Sequence, residues 1–111
     1  MKKDYDPLLT KEYLSDDYDN LEFTLASGIT NYDVRTNVTG AFTAHDLYTT
    51  INIRTDQNIT IKLNSTSNNA ITVTSNRPFE LDNLIEIKEI YITNASGNTA
   101  NIKIFGTRKG T

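Results

Sequence analysis

The sequence predicts an all-β fold: a single-domain antiparallel β-sandwich, jelly-roll-like, with about eight strands and an N-terminal arm. In short runs, Ile or Val alternates with Thr, Asn or Lys, the period of two that a strand with one buried and one wet face requires. Polar turns separate these runs about every 8–12 residues, as in sandwiches and barrels. A seven-stranded immunoglobulin-like sandwich is the alternative, although the Cys and Trp of antibody domains are absent.

Residues 1–20 differ in composition from the rest, so we predict an N-terminal arm there and the β-sandwich in residues 21–111. The arm is rich in carboxylates and tyrosines, and Asp6-Pro7 is a start signal for a short helix. A helix this short needs something to pack against. We expect the arm to become ordered by contact with a partner, and a disordered tail is the alternative. Its anchors would be the large side chains Tyr5, Leu9, Tyr13, Leu14 and Tyr18.

The first strands follow from simple alternation. Residues 21–26 and 32–38 each alternate apolar with polar side chains, and they predict two strands separated by a turn at Ser27-Gly28. Residues 46–55 and 58–64 are the clearest copies of the pattern. Only Asp56-Gln57 and close neighbours separate the latter two runs, which predicts that they pair with each other as a hairpin.

The C-terminal part contains one break in the alternation. Ile85 and Ile87 occupy odd positions, whereas Ile90 and Ile92 occupy even ones. We expect a β-bulge near Lys88-Glu89 to return the second pair to the inner face.

The remaining C-terminal elements are shorter. A strand at 71–73 is expected to end before Arg77-Pro78, because proline cannot donate to a strand ladder. Residues 94–98 predict a turn in which Gly97 takes positive φ. The last strand is expected at 102–105, and Gly106 should end it.

Composition excludes several classes of partner. The net charge is −3 and Lys and Arg are scattered, whereas a duplex nucleic-acid binder usually carries a basic stripe. No apolar run approaches the roughly 20 residues that a membrane helix needs. The N-terminus has no apolar stretch of the signal-peptide type, so we expect synthesis in a cytoplasm. We therefore expect neither nucleic acid nor membrane as a partner.

The sequence offers no catalytic or metal-binding motif. His45 is the only histidine, and there is neither a cysteine nor a Gly-x-Ser-x-Gly elbow to supply a nucleophile. Asp17 and Asp19 match the first two ligand positions of an EF-hand loop, but Leu21 occupies the third. We expect the chain not to be an enzyme and to carry no cofactor or metal.

Surface contacts are the remaining source of function. Tyr48 and Tyr91 are predicted at outer positions of their strands, and together with Phe105 they are the candidate surface-contact residues. A carbohydrate-binding or adhesin module is one class that this pattern allows, provided that the aromatic side chains share one face.

Three segments of the C-terminal half resemble small virion proteins of tailed bacteriophages, of the capsid decoration or head-fibre type. The segments are Ile53–Lys62, Arg77–Leu81 and Ile90–Ile104, the last with the turn Asn94-Ala95-Ser96-Gly97. The resemblance implies a β-sandwich or jelly roll in the virion, often a trimer, attached to other virion proteins of the capsid, neck or tail. It also implies that residues 1–20 are the docking arm and that neighbouring subunits cover the sheet edges. The leading hypothesis is therefore a non-enzymatic, homo-oligomeric structural component of a phage particle.

Overall fold

Eight strands form two four-stranded antiparallel sheets in the computed structural model, which describes residues 15–109. The strands are β1 (Asp19–Leu25), β2 (Ile29–Asp33), β3 (Tyr48–Thr55), β4 (Ile59–Leu63), β5 (Ile71–Val73), β6 (Phe79–Ile87), β7 (Ile90–Asn94) and β8 (Ala100–Thr107), with one short helix, α1 (Val34–Asn37). The predicted arm residues Tyr5, Leu9, Tyr13 and Leu14 lie outside the described part of the chain.

The strand order is that of a jelly roll. Sheet 1 has the order β1-β8-β3-β6 and sheet 2 the order β2-β7-β4-β5. Strand β1 pairs with β8, β2 with β7, β3 with β6 and β4 with β5, so the chain is one long antiparallel ribbon. Rolling this ribbon sends successive pairs to alternate sheets, and the contacts β3–β8 and β4–β7 complete the two sheets. The predicted eight-stranded, jelly-roll-like sandwich is confirmed.

The core lies between the two sheets and is built largely from isoleucine. Ile51 and Ile53 of β3 face Ile59 and Ile61 of β4 across it, and each is at most 2% exposed. Strict alternation puts them there, because successive side chains of a strand point to opposite faces. The inner faces predicted for these two strands are confirmed.

The predicted hairpin between the two central runs is wrong. β3 lies in sheet 1 and β4 in sheet 2, and the segment around Asp56-Gln57 crosses between the sheets. The physical reason is that β6 and β8 pair with both edges of β3, which leaves it no edge for β4.

The bulge predicted near Lys88-Glu89 is also wrong, because the break in alternation is a change of sheet. β6 ends in sheet 1 and β7 begins in sheet 2. Asn64 holds the crossing: its Oδ1 accepts from the backbone N–H of Lys88 (2.6 Å) and Glu89 (3.3 Å). Its Nδ2 donates to the carbonyl of Glu86 at 2.8 Å. The amide side chain thus supplies the partners that a ladder would otherwise give these backbone groups.

The strand predicted at 32–38 is wrong beyond its first residues. β2 ends at Asp33, and α1 follows because the Asp33 carboxylate caps it by accepting from the N–H of Thr36 at 3.3 Å. At the other end of the chain, Gly106 does not terminate the last strand, which continues to Thr107. Gly97 has a φ of 91°, as the predicted turn requires.

Candidate functional site

Tyr48 is not a surface residue, contrary to the sequence prediction. Its side chain is completely buried, and its ring stacks on Phe42 at 4.3 Å between centroids. The alternation of β3 fails at its start, since Tyr48 and Ile51 are both buried and the pairing with β6 shifts register between Tyr48 and Thr50. A register shift of this kind depends on the partner strand, so the sequence of β3 alone does not reveal it.

Asp19 is the buried partner of the Tyr48 hydroxyl, which donates to Oδ2 at 2.6 Å. The same carboxylate accepts from the N–H of Thr43 (3.1 Å) and of Ala44 (3.1 Å). Burial raises the pKa of Asp19, but the bonds from Tyr48, Ala44 and Thr43 outweigh it and leave that pKa below its usual 3.8. Asp19 therefore fastens the start of β1 to the loop before β3. It belongs to the folded domain, although the sequence division placed it in the arm.

The end of the arm runs onto sheet 1 beside the last residues of β8. The Thr107 hydroxyl donates to the carbonyl of Asp17 at 2.6 Å, and His45 Nε2 lies 3.1 Å from the same oxygen. Tyr18 stacks on Phe105 with ring centroids 5.2 Å apart. Both rings remain open to solvent, at 59% and 41% exposure. Phe105 is thus exposed with Tyr18 packed on it, and its role as a contact residue stays a prediction.

A second exposed apolar pair lies on β6. Thr50 of β3 pairs with Asp82 of β6, and Tyr48 pairs with Ile87. The partners on β3 are two residues apart and those on β6 are five apart, so β6 contains additional residues in this stretch. The additional residues of β6 bulge outward, which leaves Leu84 74% and Ile85 44% exposed. The adjacent pair was the signal in the sequence, because neighbouring residues of a strand point to opposite faces and cannot both face the core.

Four exposed large apolar side chains thus gather in one half of sheet 1, which we call the apolar end: Tyr18, Leu84, Ile85 and Phe105. The end of the arm meets sheet 1 in this half, because Thr107 pairs with Thr50 of β3 and its hydroxyl donates to the carbonyl of Asp17. The only other large apolar side chain that is exposed among residues 15–109 is Ile29 in sheet 2. Aromatic and large apolar residues are the types enriched at the centres of protein interfaces.

Tyr91 lies on the outer face of sheet 2, between Asp33 of β2 and Lys62 of β4. Its hydroxyl donates to the carboxylate of Glu89, and this bond raises the pKa of Tyr91 to about 12. The three candidate surface-contact residues therefore occupy the core, sheet 2 and sheet 1, and they form no common face.

The described residues show no constellation of metal-binding type. In the range 15–109, no group of three or more His, Asp or Glu side chains is placed to hold a metal ion. The one short helix in this range falls far below the length needed to cross a membrane.

Comparison of the chain with models of protein families, with curated proteins and with solved structures finds no match. The functional argument consequently depends on the geometry of the chain itself.

Proposed function

We propose that this chain is a non-enzymatic structural component of a phage particle, of the capsid decoration or head-fibre type. It assembles as a homo-oligomer, with a trimer favoured, and attaches to other virion proteins. The observation that carries the proposal is the apolar end: four of the five exposed large apolar side chains of the described residues lie in the half of sheet 1 where the arm arrives.

The physical argument is that the free energy falls when a partner covers apolar side chains that would otherwise face water. Burial stabilises an assembly by roughly 25 cal/mol per Å² of apolar surface. In the single chain, the Leu84 side chain is mostly exposed and the Phe105 side chain is partly exposed. β6 is also an edge strand of sheet 1, so one row of its backbone groups has no strand partner among residues 15–109. Natural proteins protect such edges, and a neighbouring copy is one way to do so.

The jelly-roll fold is compatible with this role. Jelly rolls occur in viral capsid domains and also in lectins, so the fold alone does not select a function. Against the lectin reading, Tyr48, Tyr91 and Phe105 do not share a face. The one exposed aromatic pair of the described residues, Tyr18 and Phe105, is stacked ring on ring, so Tyr18 occupies one face of the Phe105 ring.

The experiment is immunolabelling of particles purified from the source of the chain, with an antibody raised against the β-sandwich and viewed by electron microscopy. Regular labelling of the particle surface is the expected result. Particles without label, together with the chain recovered entirely in the unassembled fraction, would contradict the proposal.

A further inference from the structure

A basic depression lies at the other end of sheet 1 from the arm. Three cationic side chains, Arg54, Arg77 and Lys103, contribute to its lining, and its volume is about 390 Å³. The end of β3, the start of β8 and the loop between β5 and β6 enclose it. Such a volume falls within the roughly 300–1,000 Å³ typical of ligand sites.

The two arginines are unpaired. Among residues 15–109, neither the Arg54 nor the Arg77 guanidinium has a hydrogen-bond or ion-pair partner. Lys103 is the exception, with Glu22 at 3.6 Å in an exposed pair. Asp56 also lines the depression, but both of its carboxylate oxygens accept from Asn101, at 2.8 and 2.6 Å. Two guanidinium groups thus remain available to a ligand.

Strand pairing places like charges side by side here. Arg54 of β3 is directly opposite Lys103 of β8 on the outer face of sheet 1. Like charges in directly opposed positions destabilise a sheet. In a chain of net charge −3, such a local excess of positive charge is a cost that a bound anion would offset.

The remaining lining determines what kind of anion fits. Thr74, Ser75 and Asn76 bring hydroxyl and amide groups to the rim, and none of the lining residues is aromatic. Without a ring on which a base can stack, the depression lacks the platform that single-stranded nucleic acid uses. Hydroxyl and amide groups instead match the hydroxyls of a sugar, while the guanidinium groups match a carboxylate or sulfate.

We propose that the basic depression binds an acidic saccharide, with Arg54 and Arg77 holding its oxyanion and Thr74, Ser75 and Asn76 contacting its hydroxyls. The site lies at the far end of sheet 1 from the apolar end, so the two proposals stand or fall separately. On an assembled particle this end would remain free to bind its ligand.

The test is a titration followed by ¹H–¹⁵N NMR, with tetragalacturonate, neutral galactotetraose and inorganic sulfate as separate probes. Saturable shifts at the amides around Arg54 and Ser75 are expected with tetragalacturonate, with weaker binding of sulfate and none of galactotetraose. Replacing both arginines (Arg54→Gln with Arg77→Gln) should weaken binding about tenfold or more, because each removes a charge-assisted bond.

The matched control removes the same charge elsewhere, through Lys62→Gln with Lys88→Gln, both outside the depression. This control should bind as the unaltered chain does. An equal loss in the control, equal affinity for sulfate and tetragalacturonate, or no saturable shift with any probe would each overturn the proposal. The double arginine variant should melt no lower than the unaltered chain, since neither guanidinium has a partner to lose.

Discussion

The hydroxyl of Tyr48 donates a 2.6 Å hydrogen bond to the carboxylate of Asp19 inside the sandwich. Tyr48 is wholly buried and Asp19 is 7% exposed, and the same hydroxyl accepts from the N–H of Phe42 at 2.8 Å. The pair links the start of β1 and the start of β3 with the loop that precedes β3. Deleting the hydroxyl (Tyr48→Phe) should lower the free energy of unfolding by about 1.5–3 kcal/mol, the value of a hydrogen bond to a charged group. Urea denaturation at neutral pH measures the loss, and a change below about 0.5 kcal/mol would contradict this role.

The same contact predicts how stability depends on pH. The pKa of Asp19 is lower in the folded chain than in the unfolded one, whose value is 3.8, so its contribution is complete above 3.8 and is lost as the pH falls through the folded value. Asp19→Asn should therefore flatten the acid limb of the stability profile. The control is Asp16→Asn, an exposed carboxyl three residues away. Denaturation midpoints between neutral pH and pH about 3 give the profiles, and parallel acid limbs for Asp19→Asn and the unaltered chain would be the contrary result.

Gly106 is fixed by the ring that lies over it. A Cβ at this position would come within 2.8 Å of the Tyr48 ring, closer than packing allows. Gly106→Ala should consequently lower the free energy of unfolding by about 1–3 kcal/mol through overpacking. Gly97→Asn is the comparison, because a Cβ there would meet no atom of the described residues within 4 Å beyond its chain neighbours, so any loss comes from the φ of 91° and not from overpacking. Thermal unfolding of both variants is the measurement, and an unchanged midpoint for Gly106→Ala would show that the ring moves aside.

Asn64 should be needed for the crossing between the sheets. Asn64→Ala leaves the N–H of Lys88 and the carbonyl of Glu86 without their side-chain partners, and it places alanine at a φ of 69°. We expect a loss of about 2–4 kcal/mol from the unmet hydrogen bonds and the strain together. Asn69→Ala, in the exposed loop that follows, should cost less than about 0.5 kcal/mol. Similar losses of unfolding free energy in the two variants would contradict the role of Asn64 in the crossing.

The boundary between the arm and the domain should lie before Asp19 and not at residue 20. Removing residues 1–14 should leave thermal unfolding nearly unchanged and abolish attachment to particles. Removing residues 1–20 also removes Asp19 and its bonds to Tyr48 and Ala44, so the midpoint should fall by at least about 5 °C. Differential scanning calorimetry compares the two, and collapse of the domain on removal of residues 1–14 would place those residues in the fold.

Local alternation was enough to predict the fold class and the inner faces of the central strands. Ile51, Ile53, Ile59 and Ile61 lie where the period of two put them. Strand pairing was not predictable in the same way, because an alternating run does not specify which edge it joins. The crossing at Asn64 shows the difficulty, since its partners lie more than 20 residues further along the chain.

The candidate sites show the same division between local and long-range information. Phe105 was predicted at the surface and Tyr18 as an anchor, but their stacking depends on how the arm meets β8. The basic depression was missed because only the register of β3 with β8 brings Arg54 beside Lys103. Tyr48 was predicted on the outer face, but the register of β3 with β6 shifts beside it and its side chain lies in the core.

The most direct test of the central claim, that copies of the chain associate through the apolar end, is sedimentation velocity over a range of concentrations. The variant replaces Leu84 and Ile85 by glutamine, and the control replaces Ile29, the exposed isoleucine of sheet 2, in the same way. We predict an oligomer for the unaltered chain and for the control, and a monomer with an unchanged circular-dichroism spectrum for the variant. An unaltered chain that sediments as a monomer at every concentration would contradict the account.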